Sequence, residues 1–225
     1  MKVTANLATH PPRHQSLKKM INSLTSQFDE VRICLNEYEK APEFLKHPKI
    51  KVWIPKKDLT DNGKFAFLQD ADKDEIYCTV DDDLIYPADY RSKIEEAISN
   101  YPDDVITFHG RKLKGIFNNY YKAPHKVFRF SGDVKEDSII DVPGTGVTAF
   151  KADIRLFKVA ESGYKCMSDI ILGLYCAQKN KTVRVINHKR NWIKHIDNKD
   201  SIFSNNIQFD KIQAILCQKI LEFKQ

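Results

Sequence analysis

The chain has 225 residues, of which 42% are hydrophobic and 11% aromatic, so it is long and apolar enough to bury a core and is not a disordered protein. Its formal net charge of +6 fits an anionic substrate, an anionic membrane surface or nucleic acid, and nucleic acid is disfavoured because no zinc-finger spacing or RGG tract is present. Five scattered cysteines predict reduced thiols, and from the sequence we expect neither a signal peptide nor a membrane-spanning helix. We therefore expect a cytoplasmic protein that binds no nucleic acid.

The first 110 residues predict strands that alternate with helices, a pattern typical of a parallel α/β sheet. Runs of β-branched and aromatic residues indicate strands at residues 2–8, 31–35, 49–54, 76–80 and 105–108. Apolar residues at helical spacing indicate helices through residues 17–24, through residues 65–68, and from Pro87 past residue 97.

The remainder of the chain is less regular. Residues 112–141 are polar and aromatic, with one short strand candidate at 127–130, and we expect this segment to set substrate specificity. After it, the sequence predicts a glycine-punctuated turn and strand at 142–150, a helix at 168–177, a strand at 182–187 and a basic loop at 188–195.

An amphipathic helix is predicted at residues 207–223, where its apolar face would pack on the domain, on a second subunit, or against a membrane surface. An oligomer and a peripheral membrane contact are therefore both open at this point. All the elements together predict a single α/β domain, residues 1–225, with a mostly parallel central sheet flanked by helices.

Three adjacent carboxylates follow the apolar strand at 76–80. Asp81, Asp82 and Asp83 would repel one another at neutral pH unless a cation or hydrogen-bond donors lie among them. Hard oxygen ligands suit Mg²⁺ or Mn²⁺, and in open α/β sheets ligands bind beyond the carboxyl ends of the strands. The triplet therefore predicts a metal site, with a solvated Asp-rich turn as the alternative.

Other polar features each allow two interpretations. Asp169 is either a functional carboxylate or a first-turn acid that complements the helix dipole, with Ser168 as the N-cap. His188 and His195 either reach a metal or phosphate or are merely solvated. The glycines in residues 144–146 either let the backbone approach a ligand or form a β-bulge.

The order of these features resembles the GT-A glycosyltransferases, metal-dependent enzymes that use nucleotide-sugar donors. The resemblance covers about residues 2–196 and looks closest to small bacterial or viral enzymes that build surface polysaccharide. The matching residues are Ala8-Thr9 with Arg13, Asn36, Asp61 with Gly63 and Lys64, Asp81-Asp82-Asp83 followed by Tyr86-Pro87, Gly144-Thr145-Gly146, and Ser168-Asp169-Ile170.

The resemblance implies a role for each matching residue. Binding of the nucleotide sugar is expected from Thr9, Arg13, Asn36, Asp61, Lys64, Asp81 and Asp82. The metal ligands are expected to be Asp83 and Asp81, completed by His188 or His195. The acceptor is expected to contact His109, Gly144, Thr145 and Gly146. Asp169 matches the catalytic carboxylate, although the family often has Glu before this Asp, where this chain has Ser168.

The resemblance further implies an enzyme that uses Mn²⁺ or Mg²⁺ and a nucleotide sugar such as a UDP-sugar. Residues 1–110 would form the nucleotide-sugar half, 111–200 the acceptor and catalytic half, and 201–225 the C-terminal helix. The sugar would pass to a glycan or lipid-linked acceptor, with inversion if Asp169 is the base. Two alternatives are a sugar-phosphate nucleotidyltransferase, which usually opens with a Gly-rich signature that this chain lacks, and a non-catalytic module that binds anionic glycans.

Overall fold

A computed structural model of the chain describes residues 1–123, 125–154, 157–196 and 210–224. Within them the α-helices are α1 (His14–Thr25), α2 (Tyr90–Asn100), α3 (Ser168–Gln178) and α4 (Asp210–Glu222). The strands are β1 (Val3–Thr9), β2 (Glu30–Leu35), β3 (Ile50–Trp53), β4 (Ile76–Val80), β5 (Leu84–Ile85), β6 (Val105–Thr107), β7 (Gly110–Lys112), β8 (Lys126–Phe128), β9 (Ser138–Ile140), β10 (Val142–Pro143), β11 (Val147–Lys151), β12 (Val183–Val185) and β13 (Lys194–His195).

The central sheet has eight strands in the order β3-β2-β1-β4-β11-β6-β12-β9. Strands β3, β2, β1 and β4 are parallel to one another, and β12 is parallel to β6. Only β11 and β9 run against their neighbours in this sheet. The predicted α/β class with a mostly parallel sheet flanked by helices is thus confirmed.

The core lies on both faces of this sheet, and β4 shows why its sequence has no polar alternation. Ile76, Cys78 and Val80 pack into a cluster with the apolar sides of α1 and α2. Tyr77 points the other way, into a cluster formed with α3 and α4. All five residues of β4 are buried, as expected of a strand covered on both faces.

One predicted helix is wrong. Residues 65–68 do not form an α-helix; a 3₁₀ helix covers Thr60–Phe65 and turns follow it. Tertiary contacts hold the segment in addition to its own short-range hydrogen bonds, such as that from Leu68 N to Phe65 O at 3.1 Å. Asn36 binds it at Leu59 N and Thr60 O, and Phe65 packs against Phe157 with a ring distance of 5.0 Å.

The reversed direction of β11 brings its start beside the end of β4. The residue pairs Val147–Val80 and Thr148–Thr107 show that β11 begins where both neighbouring strands end. The backbone N–H of Gly144 donates to the carbonyl of His109 at 2.8 Å, so the chain that leaves β6 returns to the same point. Between these two residues, β7, β8 and β10 form a separate antiparallel sheet in the order β10-β7-β8.

A two-stranded ribbon of β5 and β13 lies beyond the end of β4. The pairing of His195 with Leu84 is antiparallel and places His195 next to the residue that follows Asp83. Neither short strand was predicted from the sequence, because two-residue strands carry no periodic signal.

The C-terminal helix is confirmed as α4, although its predicted first residues, 207–209, lie outside the described residues, as do 197–206 and 225. Leu216, Cys217 and Ile220 are buried in the cluster that contains α3, whereas Ile212 and Ile215 are exposed. Within the described residues, no helix is sufficiently long and apolar to cross a bilayer. Oligomer formation and membrane contact through α4 stay predictions.

Candidate active site

A cavity of about 450 Å³ opens at the carboxyl end of β4. This volume lies within the usual range for small-molecule sites. It is lined by these residues that the sequence singled out: Asp61, Lys64, Asp81, Asp83, His109, Gly144, Thr145, Gly146, Asp169 and His195. The fold thus brings into one cavity the residues that follow β4 and β6, together with residues from α3, β13 and two connecting segments.

The hydroxyl of Tyr86 holds the end of β4 against the start of β11. It accepts from the backbone N–H of Asp81 at 2.8 Å and donates to the carbonyl of Gly146 at 2.7 Å. A Cβ at position 146 would lie 2.0 Å from Oδ2 of Asp81, so the Asp81 carboxylate can take this position only beside a glycine. The close approach predicted for this glycine turn is therefore to the Asp81 carboxylate.

A buried lysine joins the acidic triplet to α3. Nζ of Lys64 forms an ion pair with Asp81 and lies 3.4 Å from Oγ1 of Thr145. Thr145 in turn donates to Oδ1 of Asp169 from both its hydroxyl, at 2.6 Å, and its backbone N–H, at 2.8 Å. Burial lowers the pKa of Lys64, but the charges of Asp81, Asp169 and Asp61 outweigh it and leave the pKa raised, so Lys64 is a cation.

Asp169 therefore has one oxygen fixed and one available. Within the described residues, Oδ2 has no hydrogen-bond partner, while Oδ1 has two from Thr145. Burial raises the pKa of the Asp169 carboxyl, although Lys64 and Thr145 oppose the shift. A carboxylate whose pKa is raised towards neutrality accepts a proton more readily than a solvated one.

The two other carboxylates of the triplet have different surroundings. Asp82 is buried and accepts from the hydroxyl of Thr9 at 2.6 Å, and burial raises its pKa to about 7. Asp83 faces the cavity and accepts from Arg13 at 2.9 Å. Burial and the charge of Asp81 raise the pKa of Asp83 against the opposing effect of Arg13. Thr9, Arg13 and Asp82 do not line the cavity themselves but lie directly behind it.

The geometry separates the two candidate histidines. Nε2 of His195 lies 3.6 Å from Oδ2 of Asp83, and both residues line the cavity. His188 is buried elsewhere, with Nδ1 at 2.8 Å from the carbonyl of Ile186 and Nε2 at 3.1 Å from that of Arg129. Since both nitrogens of His188 face backbone carbonyls, His188 is removed from the candidate metal ligands.

Two further residues have structural partners that the sequence did not suggest. The side-chain amide of Asn36 donates to the carbonyl of Thr60 and accepts from the N–H of Leu59, so it holds residues 59–60 in place. It does not line the cavity. Oδ2 of Asp61 accepts from the backbone N–H and the hydroxyl of Ser168, at 2.9 and 2.6 Å. Ser168 is thus the first residue of α3 and not its N-cap, and the carboxylate of Asp61 stabilises this helix terminus instead.

The part of the cavity formed by the segment 110–143 was predicted only in outline. The sequence assigned specificity to residues 112–141 without choosing side chains. The structure brings Arg111, Tyr120, Tyr121 and Arg129 from this segment to the cavity, together with Gln213 from α4. Only the pairing of β7 with β8, which has no sequence signal, unites Arg111 with Arg129.

The chemistry of the donor atoms limits the kind of metal site. Across the described residues, no group of three or more His, Cys, Asp or Glu side chains is arranged to hold an ion. Asp83 and His195 supply one oxygen and one nitrogen at the same point of the cavity. Mg²⁺ and Mn²⁺ commonly bind through one or two protein ligands when substrate phosphates and water complete the shell. The residues fit an ion of that kind, which would bind together with a phosphate-bearing ligand.

No family model and no curated protein matches the sequence. The fold does match solved structures. GalNAc-T7 with UDP, GalNAc and Mn²⁺ superposes with a TM-score of 0.64 at 10% identity, over 88% of this chain and 44% of that one. Residues 1–349 of S. aureus TarS in complex with UDP-GlcNAc superpose with a TM-score of 0.56 at 11% identity, over 91% of this chain and 61% of that one.

This chain thus spans about half the length of these two proteins. At such low identity the likeness concerns the fold and not the substrate or the reaction. The order of motifs in the sequence, the eight-stranded sheet and the superpositions agree on one architecture. The fold of this chain is that of the GT-A glycosyltransferases.

Proposed function

We propose that this protein is a metal-dependent glycosyltransferase that moves a sugar from a nucleotide-sugar donor to an acceptor hydroxyl. The observation that carries the proposal is the cavity at the end of β4. It combines two carboxylates, Asp81 and Asp83, with a third, Asp169, which lines the same cavity and has one oxygen that Thr145 does not bind. The structural neighbours were crystallised with UDP or UDP-GlcNAc, and one of them with Mn²⁺, which supports a UDP-sugar as the first donor to test.

In this proposal the donor diphosphate lies beside Asp83. Asp83 and His195 would hold Mn²⁺ or Mg²⁺, which neutralises negative charge on the departing diphosphate. Arg13 fixes the position of Asp83 from behind through the 2.9 Å ion pair. Lys64 keeps a positive charge between Asp81 and Thr145, so the donor side of the cavity contains a cation even before metal binds.

Asp169 acts as the base. The acceptor hydroxyl gives its proton to Oδ2 of Asp169 while its oxygen attacks the anomeric carbon, and the bond from that carbon to the diphosphate oxygen breaks with its electron pair. Thr145 holds Oδ1 of Asp169 by two hydrogen bonds and so fixes the direction of the free oxygen. A single displacement of this kind inverts the anomeric configuration.

The division of the chain follows from these roles. Residues 1–110 provide Lys64, Asp81 and Asp83 and form the donor half, whereas 111–200 form the acceptor half with Asp169 and also contribute His195 to the metal. A cytoplasmic location, where nucleotide sugars are made, belongs to the same proposal.

Titration calorimetry tests the proposal directly. We expect the full-length protein to bind UDP in the presence of Mn²⁺, to lose this binding in EDTA, and to lose it in Asp83→Asn because a neutral amide is a poor ligand for a hard cation. Asp103→Asn is the matched control, since Asp103 is exposed and lies outside the cavity. Equal UDP affinity in wild type and Asp83→Asn, or no affinity for any nucleoside diphosphate, would contradict the proposal.

A further inference from the structure

The cavity has two cationic regions, and the described carboxylates form ion pairs with only one of them. Near β4 each cation is paired with a carboxylate, Lys64 with Asp81 and Arg13 with Asp83. Arg111 and Arg129 line the same cavity from β7 and from the residue after β8. Within the described residues, neither of these guanidinium groups has a carboxylate within ion-pairing distance. Positive charge on this side of the cavity is therefore uncompensated.

The register of the small sheet directs both arginines to the same side. Arg111 pairs with Val127, and Arg129 lies two residues after Val127. Cross-strand partners share a face of an antiparallel sheet, and residues two apart on a strand share it as well. Arg111, Val127 and Arg129 all line the cavity, in agreement with this register.

Aromatic rings hold one of the two guanidinium groups in place. Arg111 lies over the ring of Tyr120 at 4.5 Å and over that of Tyr121 at 5.5 Å. Such contacts hold the side chain in place before a ligand binds, and they use none of its N–H groups as hydrogen-bond donors to an acceptor oxygen. A guanidinium group pre-oriented in this way is suited to bidentate binding of phosphate or carboxylate.

His109 provides an independent indication of a ligand. Its Nδ1 is buried and has no hydrogen-bond partner among the described residues, although such an atom is costly to leave unpaired. Burial, and then the charges of Arg111 and Arg129, lower the pKa of His109 to about 4, so the ring is neutral at pH 7. A ligand that carries both an anionic group and hydroxyl groups pairs with the two arginines and with Nδ1 of His109, whereas a plain anion pairs with the arginines alone.

Val127 and Arg129 also line a second cavity, of about 400 Å³, that extends along residues 126–138. This neighbouring space contains Lys126 and Lys135 as well as Asp133 and Glu136. Because Arg129 lines both cavities, a ligand bound to it lies next to further space, which suits an acceptor with more than one unit.

We propose that Arg111 and Arg129 bind a phosphate or carboxylate group carried by the acceptor, so that the substrate class is an anionic glycan or polyol phosphate. This inference rests on the proposed function, because it assigns the donor diphosphate to the side of Lys64 and the metal and leaves the second cationic region to the acceptor. The acceptor hydroxyl then reaches Asp169 from the side of β7 and β8.

The test measures binding of small anionic probes to the full-length protein saturated with UDP and Mn²⁺. The probes are glucose 6-phosphate, glucuronate and glycerol 3-phosphate, with glucose and glycerol as their neutral counterparts. The variants are Arg111→Gln, Arg129→Gln and the charge-conserving Arg111→Lys. Arg190→Gln is the matched control, since Arg190 is exposed and outside both cavities. Thermal unfolding of each variant checks that it is folded, and Arg129, which is exposed, can be removed without disturbing the core.

We expect the anionic probes to bind more tightly than the neutral ones. Each arginine-to-glutamine change should weaken anion binding about tenfold, the effect of one charge-assisted hydrogen bond, with partial recovery in Arg111→Lys and no change in Arg190→Gln. Equal binding of glucose 6-phosphate and glucose, or equal affinity in Arg129→Gln and wild type, would overturn the inference, as would a lack of binding of every anionic probe.

A second measurement separates the two possible sources of the anion. If UDP and glucose 6-phosphate compete, the arginines bind the donor phosphates, and the acceptor assignment is wrong. If the anions bind through Arg111 and Arg129 but no nucleotide binds with Mn²⁺, the proposed transfer reaction fails while the anion site stands as part of a glycan-binding protein. The failure of either proposal is therefore visible without the other.

Discussion

Replacement of Gly146 by alanine should displace the Asp81 carboxylate while leaving the fold intact. The added Cβ would lie 2.0 Å from Oδ2 of Asp81, so the carboxylate has to move by about 1 Å to reach even the shortest tolerable contact of 3.0 Å. Gly146 does not have a left-handed φ, so its backbone accepts alanine. The clashing atoms belong to the end of a side chain, which can rotate away, and we expect a stability loss below about 1 kcal/mol, less than a rigid core clash would cause.

The functional effect should be much larger than the effect on stability. A misplacement of about 1 Å at a reacting centre can lower the rate about 100-fold, and here it also disturbs the ion pair of Asp81 with Lys64. The assay is the kcat for UDP release from whichever UDP-sugar the wild type uses, with the affinity for UDP and Mn²⁺ measured in parallel.

Gly115→Ala is the control with the opposite expectation. Gly115 has nothing within 4 Å of an added Cβ, but its φ of +65° is unfavourable for alanine and should cost about 1 kcal/mol or more of stability. It should retain the wild-type kcat. If Gly146→Ala has wild-type kcat and wild-type affinity for UDP with Mn²⁺, the position of Asp81 is not needed for the reaction and the reasoning is refuted.

Three more predictions concern the remaining carboxylates and histidines. Asp169→Asn should lower kcat about 10²- to 10⁴-fold with unchanged UDP affinity, and a kcat near wild type would exclude Asp169 as the base. His195→Ala should weaken Mn²⁺-dependent UDP binding about tenfold or more, as measured by calorimetry. His188→Ala should leave that affinity unchanged but lower the free energy of unfolding by about 1–3 kcal/mol, as measured in urea. The reverse pattern would restore His188 as a ligand. Burial raises the pKa of Asp82 from 3.8 to about 7, so the folded protein keeps a proton there that the unfolded chain releases, and the stability due to this group falls as pH rises from about 4 to 7. In urea unfolding with EDTA, Asp82→Asn should reduce this fall in the free energy of unfolding by up to about 4 kcal/mol between pH 4 and 7. An unchanged dependence of stability on pH would show that Asp82 titrates normally.

The sequence predicted the edge of the sheet at which the cavity opens because the signals for that edge are local, although Thr9, Arg13, Asn36 and Asp82 do not line the cavity. The run of apolar residues that ends at Asp81 gives both the buried strand and the edge at which its carboxylates lie. The glycines likewise predicted the turn before β11, but they did not show that Gly146 lies against the carboxylate of Asp81. Short-range patterns of this kind depend only on neighbours in the chain.

The parts that were missed depend on contacts between distant residues. The choice of His195 over His188 follows from the pairing of β13 with β5, which joins residues more than 100 positions apart. The use of Asp61 to stabilise the start of α3 spans a similar distance. Aspartate, asparagine and histidine each suit several roles, so composition alone does not choose between a ligand and a cap.

The close approach of His109 and Gly144, the residues on either side of the segment 110–143, has a consequence for how such proteins diversify. The two residues are joined by a backbone hydrogen bond, and the chain between them leaves and re-enters the sheet at one place. The segment contains β9, which pairs with β12 in the central sheet, and the buried Ile140 and Val142, so an exchange has to keep these residues. A change of length in the remainder adds only a small loop entropy and leaves the ends of β6 and β11 undisturbed. A chimera that meets this condition should keep its nucleotide preference and change its acceptor.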